Sequence, residues 1–223
     1  MNKPEISVII CCYNGEKTIF KCLESIFNQK LDGCFEVIIV DDGSIDSTSK
    51  EINKFINIFD YNNNIFKYHK KKNEGLSIAR NYGILKSSSD IISFVDEDSL
   101  LMDGYLQSIL KCFKNSNKYN CLGGKTVLYN DNSKFARLIQ DSIFSYEMQS
   151  ENAVIGTNMA FKKSFLLEVD GFQSEFTYRG DESLLFAKSK DKIKIKRCDK
   201  MILKHFQPET PKSWLKIRYQ NGF

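Results

Sequence analysis

Through the first hundred residues, short apolar runs rich in β-branched side chains alternate with segments of helical periodicity. Such alternation is typical of a parallel sheet whose strands are joined by crossover helices. It predicts an α/β fold with a Rossmann-like core, because three β-α-β crossovers follow one another. The predicted strands are 6–12, 35–40, 65–69 and 91–95, and the predicted helices are 16–28, 46–59 and 76–85.

After Asp98 the pattern changes. We predict a helix at 104–113, extended segments at 121–129 and 154–161, a charged helix after Asp181, two short strands, and an amphipathic helix from Ser213. This second half is expected to be a mixed sheet built onto the first. A chain of 223 residues without a Pro-rich or Gly/Ser-rich linker favours one domain, residues 1–223, with a nucleotide-binding half (1–100) and an acceptor-binding half (101–223).

The seven cysteines are odd in number and form no C-x-x-C pair, which predicts buried free thiols in a reducing compartment rather than zinc ligands or a disulfide framework. No basic segment followed by an apolar one opens the chain, and no apolar run approaches the roughly 18 residues of a membrane span. We therefore expect a cytoplasmic protein, with the inner face of the membrane as a further location.

Positive charge is concentrated at the end of the chain, where residues 186–223 hold eleven Lys or Arg against three Asp or Glu. We expect this run to be a solvated edge strand, because the lysines between 188 and 196 alternate at strand period. The alternative is that the excess favours a phosphate-rich ligand or peripheral contact with an anionic membrane. Aromatic residues do not interleave with the basic run, so nucleic-acid binding is not expected.

Polar clusters follow three of the predicted parallel strands, where ligands collect in doubly wound sheets. The third cluster, Asp96-Glu97-Asp98, crowds three carboxylates at a strand end, which favours a hard Mn²⁺ or Mg²⁺ ion beside phosphate oxygens. The alternative is an acidic turn that caps the next helix. A further segment opens a helix at Gly75 and carries Arg80, so its N-terminus and guanidinium are suited to anionic phosphate. The other two clusters are Cys11-Cys12-Tyr13-Asn14-Gly15 and Asp41-Asp42-Gly43-Ser44.

An ordered set of motifs resembles family 2 glycosyltransferases of the GT-A fold over nearly the whole chain. The motifs are SVIICCYN from residue 7, VDDGS from 40, the segment 75–83, FVDED from 94, GTNMAF from 156, DGF from 170 and GDESLL from 180. The resemblance implies a mostly parallel central sheet flanked by helices, and an inverting, metal-dependent enzyme. It would transfer a sugar from a nucleoside-diphosphate sugar, with a UDP-sugar favoured, to a glycan or a lipid-linked carrier.

The resemblance also implies roles for individual residues. Asp98, Asp96 and His205 would bind the metal, and Glu182 would act as the catalytic base with Asp181 beside it. In this family the pair usually runs Glu then Asp, so the reversed order leaves open which carboxylate reaches the acceptor hydroxyl. The nucleotide-sugar would contact Cys11, Cys12, Tyr13, Glu16, Asp42, Gly75, Arg80, Asp96 and Arg218, and the acceptor would contact Gly156, Thr157, Asn158 and Trp214.

Three rivals share parts of this pattern. A metal-dependent nucleotidyltransferase has a related fold, but usually carries a Gly-rich basic loop after its first strand. A phospho-receiver domain has scattered acidic residues, but is roughly half as long. A catalytically inactive sugar-nucleotide binder differs only by losing carboxylates, and this chain has all those that the resemblance requires.

Overall fold

The structure is a computed structural model that describes residues 3–60, 64–148, 154, 156–174 and 180–220. Its described strands form one eight-stranded mixed sheet in the order β3-β2-β1-β4-β7-β6-β8-β5. Helices cover both faces of the sheet. The strands are β1 (Ile6–Cys12), β2 (Phe35–Asp41), β3 (Phe66–Lys70), β4 (Ile91–Asp96), β5 (Ser99–Leu101), β6 (Cys121–Leu128), β7 (Asn158–Lys162) and β8 (Ile195–His205).

Eight helices lie between and after these strands in the described part of the chain. They are α1 (Ile19–Phe27), α2 (Thr48–Phe59), α3 (Leu76–Lys86), α4 (Tyr105–Lys114), α5 (Lys134–Met148), α6 (Lys163–Glu168), α7 (Asp181–Lys188) and α8 (Pro211–Gln220). The α/β class and the central sheet flanked by helices are as predicted. The sequence did not predict β5, α5 or α6.

The first four strands pair in parallel, and their side chains alternate between two cores. On β1, Val8 and Ile10 pack toward α1, α2 and α4, whereas Ile9 packs toward α3, α6 and α7. This alternation is the two-residue period of a strand that is buried on both faces. Gly83 lets α3 lie close to β1, since a Cβ there would stand 2.5 Å from a methyl carbon of Ile9.

The second half joins the same sheet through antiparallel and parallel pairings. β7 pairs antiparallel with β4 and with β6, β6 pairs parallel with β8, and β5 pairs antiparallel with β8. The β5–β8 ladder places Ser99 opposite His205. Residues that lie more than a hundred positions apart in sequence therefore meet at one edge of the sheet.

Three expectations about the second half were wrong. The two short strands predicted before residue 205 are the single strand β8, whose pairing with β6 continues across a register shift between Gly123 and Lys125. The lysines from 188 to 194 are not on a strand, because α7 continues to Lys188 and a turn follows, in which Lys192 N–H donates to Ser189 O. The extended segment predicted from 154 is a strand only from Asn158.

The prediction of buried free thiols was correct for four cysteines: Cys11, Cys12, Cys22 and Cys121. It was wrong for Cys112 on α4 and Cys198 on β8, which form a disulfide because the packing of α4 against β8 brings their Cα atoms to 6.4 Å. It was also wrong about the burial of Cys34, which is exposed. Among the described residues, no helix is both long enough and apolar enough to cross a membrane.

Candidate active site

Register brings the acidic ends of the parallel strands together. β1 lies between β2 and β4, so that Cys12 is the register partner of Asp41 and Cys11 is the partner of Asp96. The sheet therefore presents its carboxylates at the carboxyl edge, as the strand-end rule requires. Asp98 lies two residues beyond Asp96, in the turn that leads into β5.

Asp96, Asp98 and His205 form a compact cluster in which one ligand atom of each residue lies within 4.8 Å of the others. β8 supplies His205, whose Nε2 is 3.0 Å from Asp98 Oδ1. The backbone fixes this approach, because Phe206 N–H donates to Asp98 O at 3.1 Å. Burial raises the pKa of Asp96. The charge of Arg80 opposes this effect, and the charge of Asp98 adds to it.

The residues of this cluster fit a divalent cation. Asp98 Oδ1 is buried, and its contact with His205 Nε2 at 3.0 Å does not have the geometry of a hydrogen bond. An unsatisfied buried carboxylate oxygen is costly unless a cation or a proton neutralises it. Two carboxylates and one imidazole match the oxygen and nitrogen ligands that Mn²⁺ and Mg²⁺ accept.

Arg80 connects this metal cluster to a second acidic pair. Its guanidinium donates to both carboxylate oxygens of Asp181 at 2.8 and 2.7 Å and to Gly156 O at 3.2 Å. The same group lies 3.7 Å from Asp96 and 3.9 Å from Glu182. Burial lowers the pKa of Arg80, but Asp181 and Asp96 outweigh that effect and raise it overall. One buried cation thus holds residues of both halves of the chain together.

Aromatic rings fix the guanidinium in this position. Phe94 of β4 lies 5.8 Å from the Arg80 guanidinium carbon and Phe172 lies 5.2 Å from it, as ring-centroid distances. The Arg80 side chain is only 3% exposed. The guanidinium donors are directed at Asp181 and Gly156, and contact of Arg80 with a donor phosphate stays a prediction.

Glu182 is the more accessible member of the acidic pair. Its side chain is 24% exposed and that of Asp181 is 1% exposed, so Asp181 is committed to Arg80 and Glu182 is free to face a substrate. The pKa of Glu182 is raised to about 7, first by burial and then by the neighbouring Asp181, although the charge of Arg80 acts to lower it. Gly156 leaves room for this carboxylate, since a Cβ there would lie 3.1 Å from Glu182 Cδ.

A model of glycosyl transferase family 2 matches residues 7–172, which is most of this chain. The chain belongs to glycosyl transferase family 2. The nucleotidyltransferase and receiver alternatives are thereby set aside. The match begins within β1 and ends at Phe172, so it includes both aspartates of the metal cluster but not the acidic pair on α7 or His205.

Curated relatives of this family 2 chain are longer than it is. It is 34% identical over 111 residues to the putative glycosyltransferase EpsH of Bacillus subtilis, covering 50% of this chain and 31% of that protein. It is 38% identical over 118 residues to the minor teichoic acid biosynthesis protein GgaA of the same organism, covering 51% and 26%. The chain thus spans less than a third of either relative.

Two solved structures share the fold of this family 2 chain. A mannosyltransferase from Pyrobaculum calidifontis, in complex with GDP-Man and Mn²⁺, has a TM-score of 0.73 at 17% identity and covers 99% of this chain and 62% of its own. Staphylococcus aureus TarS 1–349, in complex with UDP-GlcNAc, has a TM-score of 0.70 at 22% identity and covers 94% and 60%. Both likenesses support the GT-A architecture.

The residues expected to face the nucleotide lie at the end of β1 and in the loops after β1 and β2. Tyr13 is 40% exposed, whereas Cys11 and Cys12 are buried, and burial raises the pKa of both thiols. Glu16 accepts the N–H of Ser47 and thereby ties the two loops together.

Asp42 is engaged within the protein. Its carboxylate accepts Lys71 Nζ at 2.6 Å and the N–H of Gly75 at 2.8 Å, so it holds the N-terminus of α3. Lys71, which the sequence reasoning missed, also binds Glu74 at 2.8 Å. The sequence feature that could have identified Lys71 is its position one residue after the end of β3.

The residues expected at the acceptor are buried or half-buried. Asn158 is 1% exposed. Its side-chain amide accepts a hydrogen bond from the Tyr105 hydroxyl and donates one to Met201 O, so it supports the site from within the protein. Thr157 Oγ1 is buried without a hydrogen-bond partner among the described residues. Trp214 is half-buried in the first turn of α8. Arg218 lies on the same helix, but its side chain is outside the described residues.

Proposed function

We propose that this protein is an inverting glycosyltransferase that moves a sugar from a nucleoside-diphosphate sugar, with a UDP-sugar favoured, to a hydroxyl of a glycan or lipid-linked carrier. The observation that carries the proposal is that a cluster suited to a metal ion and an accessible carboxylate with a raised pKa, Glu182, lie on either side of the Arg80 guanidinium. The residues before about 100 would hold the nucleotide, and those after would hold the acceptor.

The choice of donor is supported by the ligands bound in solved structures that share this fold. TarS is in complex with UDP-GlcNAc, and the P. calidifontis mannosyltransferase is in complex with GDP-Man and Mn²⁺. In this chain the exposed ring of Tyr13 and the carboxylate of Asp42 would face a nucleobase. The acceptor proposal draws on relatives such as GgaA, whose name places it in teichoic acid biosynthesis.

Asp96, Asp98 and His205 would hold Mn²⁺ or Mg²⁺. When bound, such an ion neutralises charge that develops on a departing diphosphate. The cluster's three ligand groups leave coordination positions for phosphate oxygens, which is the usual arrangement for these ions at nucleotide sites.

Glu182 would take the proton from the acceptor hydroxyl. A pKa of about 7 suits a general base near neutral pH, because the group is then largely ionised and still basic enough to accept the proton. Asp181 is too tightly bound to Arg80 to serve, which favours Glu182 despite the reversed order of the pair. A base acting directly on the acceptor implies one displacement, with inversion at the anomeric carbon.

A donor panel tests the proposal. Purified protein is incubated with Mn²⁺ and UDP-, GDP- or TDP-sugars, with and without oligosaccharide or polyprenyl-phosphate-linked acceptors, and nucleoside diphosphate release is measured. We expect Mn²⁺-dependent release from a UDP-sugar that increases when an acceptor is added. Binding of a sugar nucleotide without release from any donor–acceptor pair would instead support the inactive binder.

A further inference from the structure

At the end of α7 that lies away from the acidic pair, the structure contains a cavity of about 450 Å³. Asp181 and Glu182 begin this helix, and Phe186 lies in its last turn. The eight residues of α7 rise by about 12 Å, so the cavity lies roughly that far from the candidate base. It is therefore separate from the candidate active site but joined to it by one short helix. The cavity is lined by Phe186, Lys190, Ile193, Lys194 and Ile195.

Three apolar side chains form part of the cavity wall. Phe186, Ile193 and Ile195 pack against the core on the α3, α6 and α7 side of the sheet, but each remains partly exposed. The surface that the core leaves uncovered contributes to the cavity lining. Asn120 anchors this segment, because its Oδ1 accepts the N–H of Lys194 at 2.7 Å. The apolar wall is thus held in place by the fold.

Two lysines complete the wall. Lys190 and Lys194 are exposed, and within the described residues neither ammonium group forms an ion pair with a carboxylate. Lys192, between them in sequence, does form one and lies 3.2 Å from Glu168. Residues 186–197 as a whole hold six Lys or Arg against one Asp. The cavity therefore combines apolar surface with an excess of positive charge.

Lysines at the end of a helix also have a purely structural use. The carboxyl end of a helix carries partial negative charge, which favours cations in its last turn and just beyond it. This effect accounts for Lys188 and Lys190, which lie at the end of α7. It does not account for Lys194, which directly precedes β8, or for the apolar surface beside it.

The combination indicates the chemistry of a ligand. Ammonium groups attract phosphate, and apolar surface beside them takes up hydrocarbon, so an anionic phospholipid at a membrane surface satisfies both. A hydrophilic polyanion would leave the apolar lining uncovered, and a neutral apolar ligand would leave the lysines unused. We propose that this cavity docks the protein on a membrane that contains anionic phospholipid.

The docking would bring the candidate base close to lipid. Because α7 joins the cavity to Glu182, that carboxylate would lie about 12 Å from the bound lipid, near the headgroup of a lipid-linked acceptor. This use of the docking rests on the proposed function. The docking itself does not, since it needs neither a sugar donor nor turnover.

Vesicle sedimentation tests the docking. The probes are vesicles of phosphatidylcholine alone and vesicles of phosphatidylcholine mixed with phosphatidylglycerol. We expect binding to the mixed vesicles only, and weaker binding as the salt concentration rises, because ions screen the attraction between lysine and phosphate. Absence of binding to the mixed vesicles at low salt would overturn the proposal.

Lys190→Gln combined with Lys194→Gln removes both cavity charges. Each lysine near an anionic surface contributes roughly fivefold to the binding constant, so this double variant should bind about 25-fold more weakly. Lys50→Gln combined with Lys111→Gln is the matched control, because it removes the same charge from exposed positions on α2 and α4, which pack on the other side of the sheet. An equal loss in the two double variants would show that only net charge matters, and would overturn the role of the cavity.

Ile193→Gln tests the apolar wall, since it removes apolar surface without changing the charge. About half of the transfer free energy of an isoleucine side chain is at stake, so binding should weaken roughly tenfold, and at high salt as well as low. Circular dichroism checks that the variant is folded. Unchanged binding of folded Ile193→Gln would overturn the uptake of lipid by the cavity.

The outcomes separate the docking from the proposed function. Binding of a water-soluble polyphosphate without binding of the mixed vesicles would assign the lysines to soluble polyanions, and would overturn the docking. Sugar transfer to a soluble acceptor without vesicle binding would overturn the docking and leave the function standing. Vesicle binding as expected, without transfer from any donor, would overturn the function and leave the docking standing.

Discussion

The two halves of the sheet place their functional side chains by different means. In β1 to β4, parallel register alone brings Asp96 beside Cys11 and Asp41 beside Cys12. In the second half, the acidic pair reaches the site through Arg80, which lies 101 residues before Asp181, and His205 reaches it through the β5–β8 ladder. The first half therefore builds its share of the site by local rules, and the second half depends on long-range contacts.

This difference assigns separate tasks that mutation can test. Asp96 and Asp98 of the first half, together with His205 of the second, should govern the affinity for metal and donor, whereas Glu182 should govern turnover after the donor is bound. Arg80 belongs to both groups because it contacts Asp96 and Asp181.

The largest effect is expected for Glu182→Gln. The amide keeps the size of the side chain but cannot accept the hydroxyl proton, so kcat should fall about 10²- to 10⁴-fold. Donor affinity should change little, as measured by calorimetric titration with the nucleotide sugar. Glu168→Gln, on the exposed surface of α6, is the control and should retain activity. Full turnover in Glu182→Gln would remove this residue as the base.

Arg80→Met should mainly destabilise the fold. It leaves the 1%-exposed Asp181 carboxylate without its cation, which typically costs about 3–5 kcal/mol in the free energy of unfolding. Urea unfolding measures this cost. Replacing both partners, as Arg80→Met with Asp181→Leu, should recover much of the stability but not the activity. The exposed Arg137→Met should unfold as the parent does, and a loss below 1 kcal/mol in Arg80→Met would show that the halves are not held by this contact.

Asp98→Asn tests the contribution of the first half. Removing the charge of one metal ligand should weaken Mn²⁺ binding roughly 10- to 100-fold, a range typical of altered metal surroundings. Calorimetric Mn²⁺ titration checks it, with Asp199→Asn, 90% exposed on β8, as the control. Unchanged Mn²⁺ affinity would exclude Asp98 from the metal site.

The smallest effect is the response to pH. Because the pKa of Glu182 is raised to about 7, the base is protonated below that value, and kcat/KM should fall about tenfold per pH unit there. Above it the rate should level off. Initial rates between pH 5.5 and 8.5 give the profile. A value of kcat/KM that does not change down to pH 5.5 would show that the ionisation of Glu182 is not required.

Local patterns predicted the first half well and the second half unevenly. Alternating apolar runs located β1 to β4, and the strand-end rule placed Asp96 and Asp98 at the correct edge. The same reasoning could not anticipate β5, which is three residues long and exists because it pairs with β8. The lysines before residue 195 have strand periodicity but lie where α7 ends and a turn follows.

Local sequence patterns could not predict the contacts of individual side chains either, because these contacts join residues that are far apart in the sequence. Nothing near Arg80 in sequence shows that Asp181 will occupy its donors, and nothing near Cys112 shows that α4 will pack against Cys198.

The anomeric configuration of the transferred sugar tests the central claim most directly. Proton NMR of the product, made with Mn²⁺ and the active donor–acceptor pair, reports whether the new bond has the configuration opposite to that of the donor. A single displacement assisted by Glu182 predicts inversion. Retention would contradict it, because retention requires a different chemical course from one base acting on the acceptor hydroxyl.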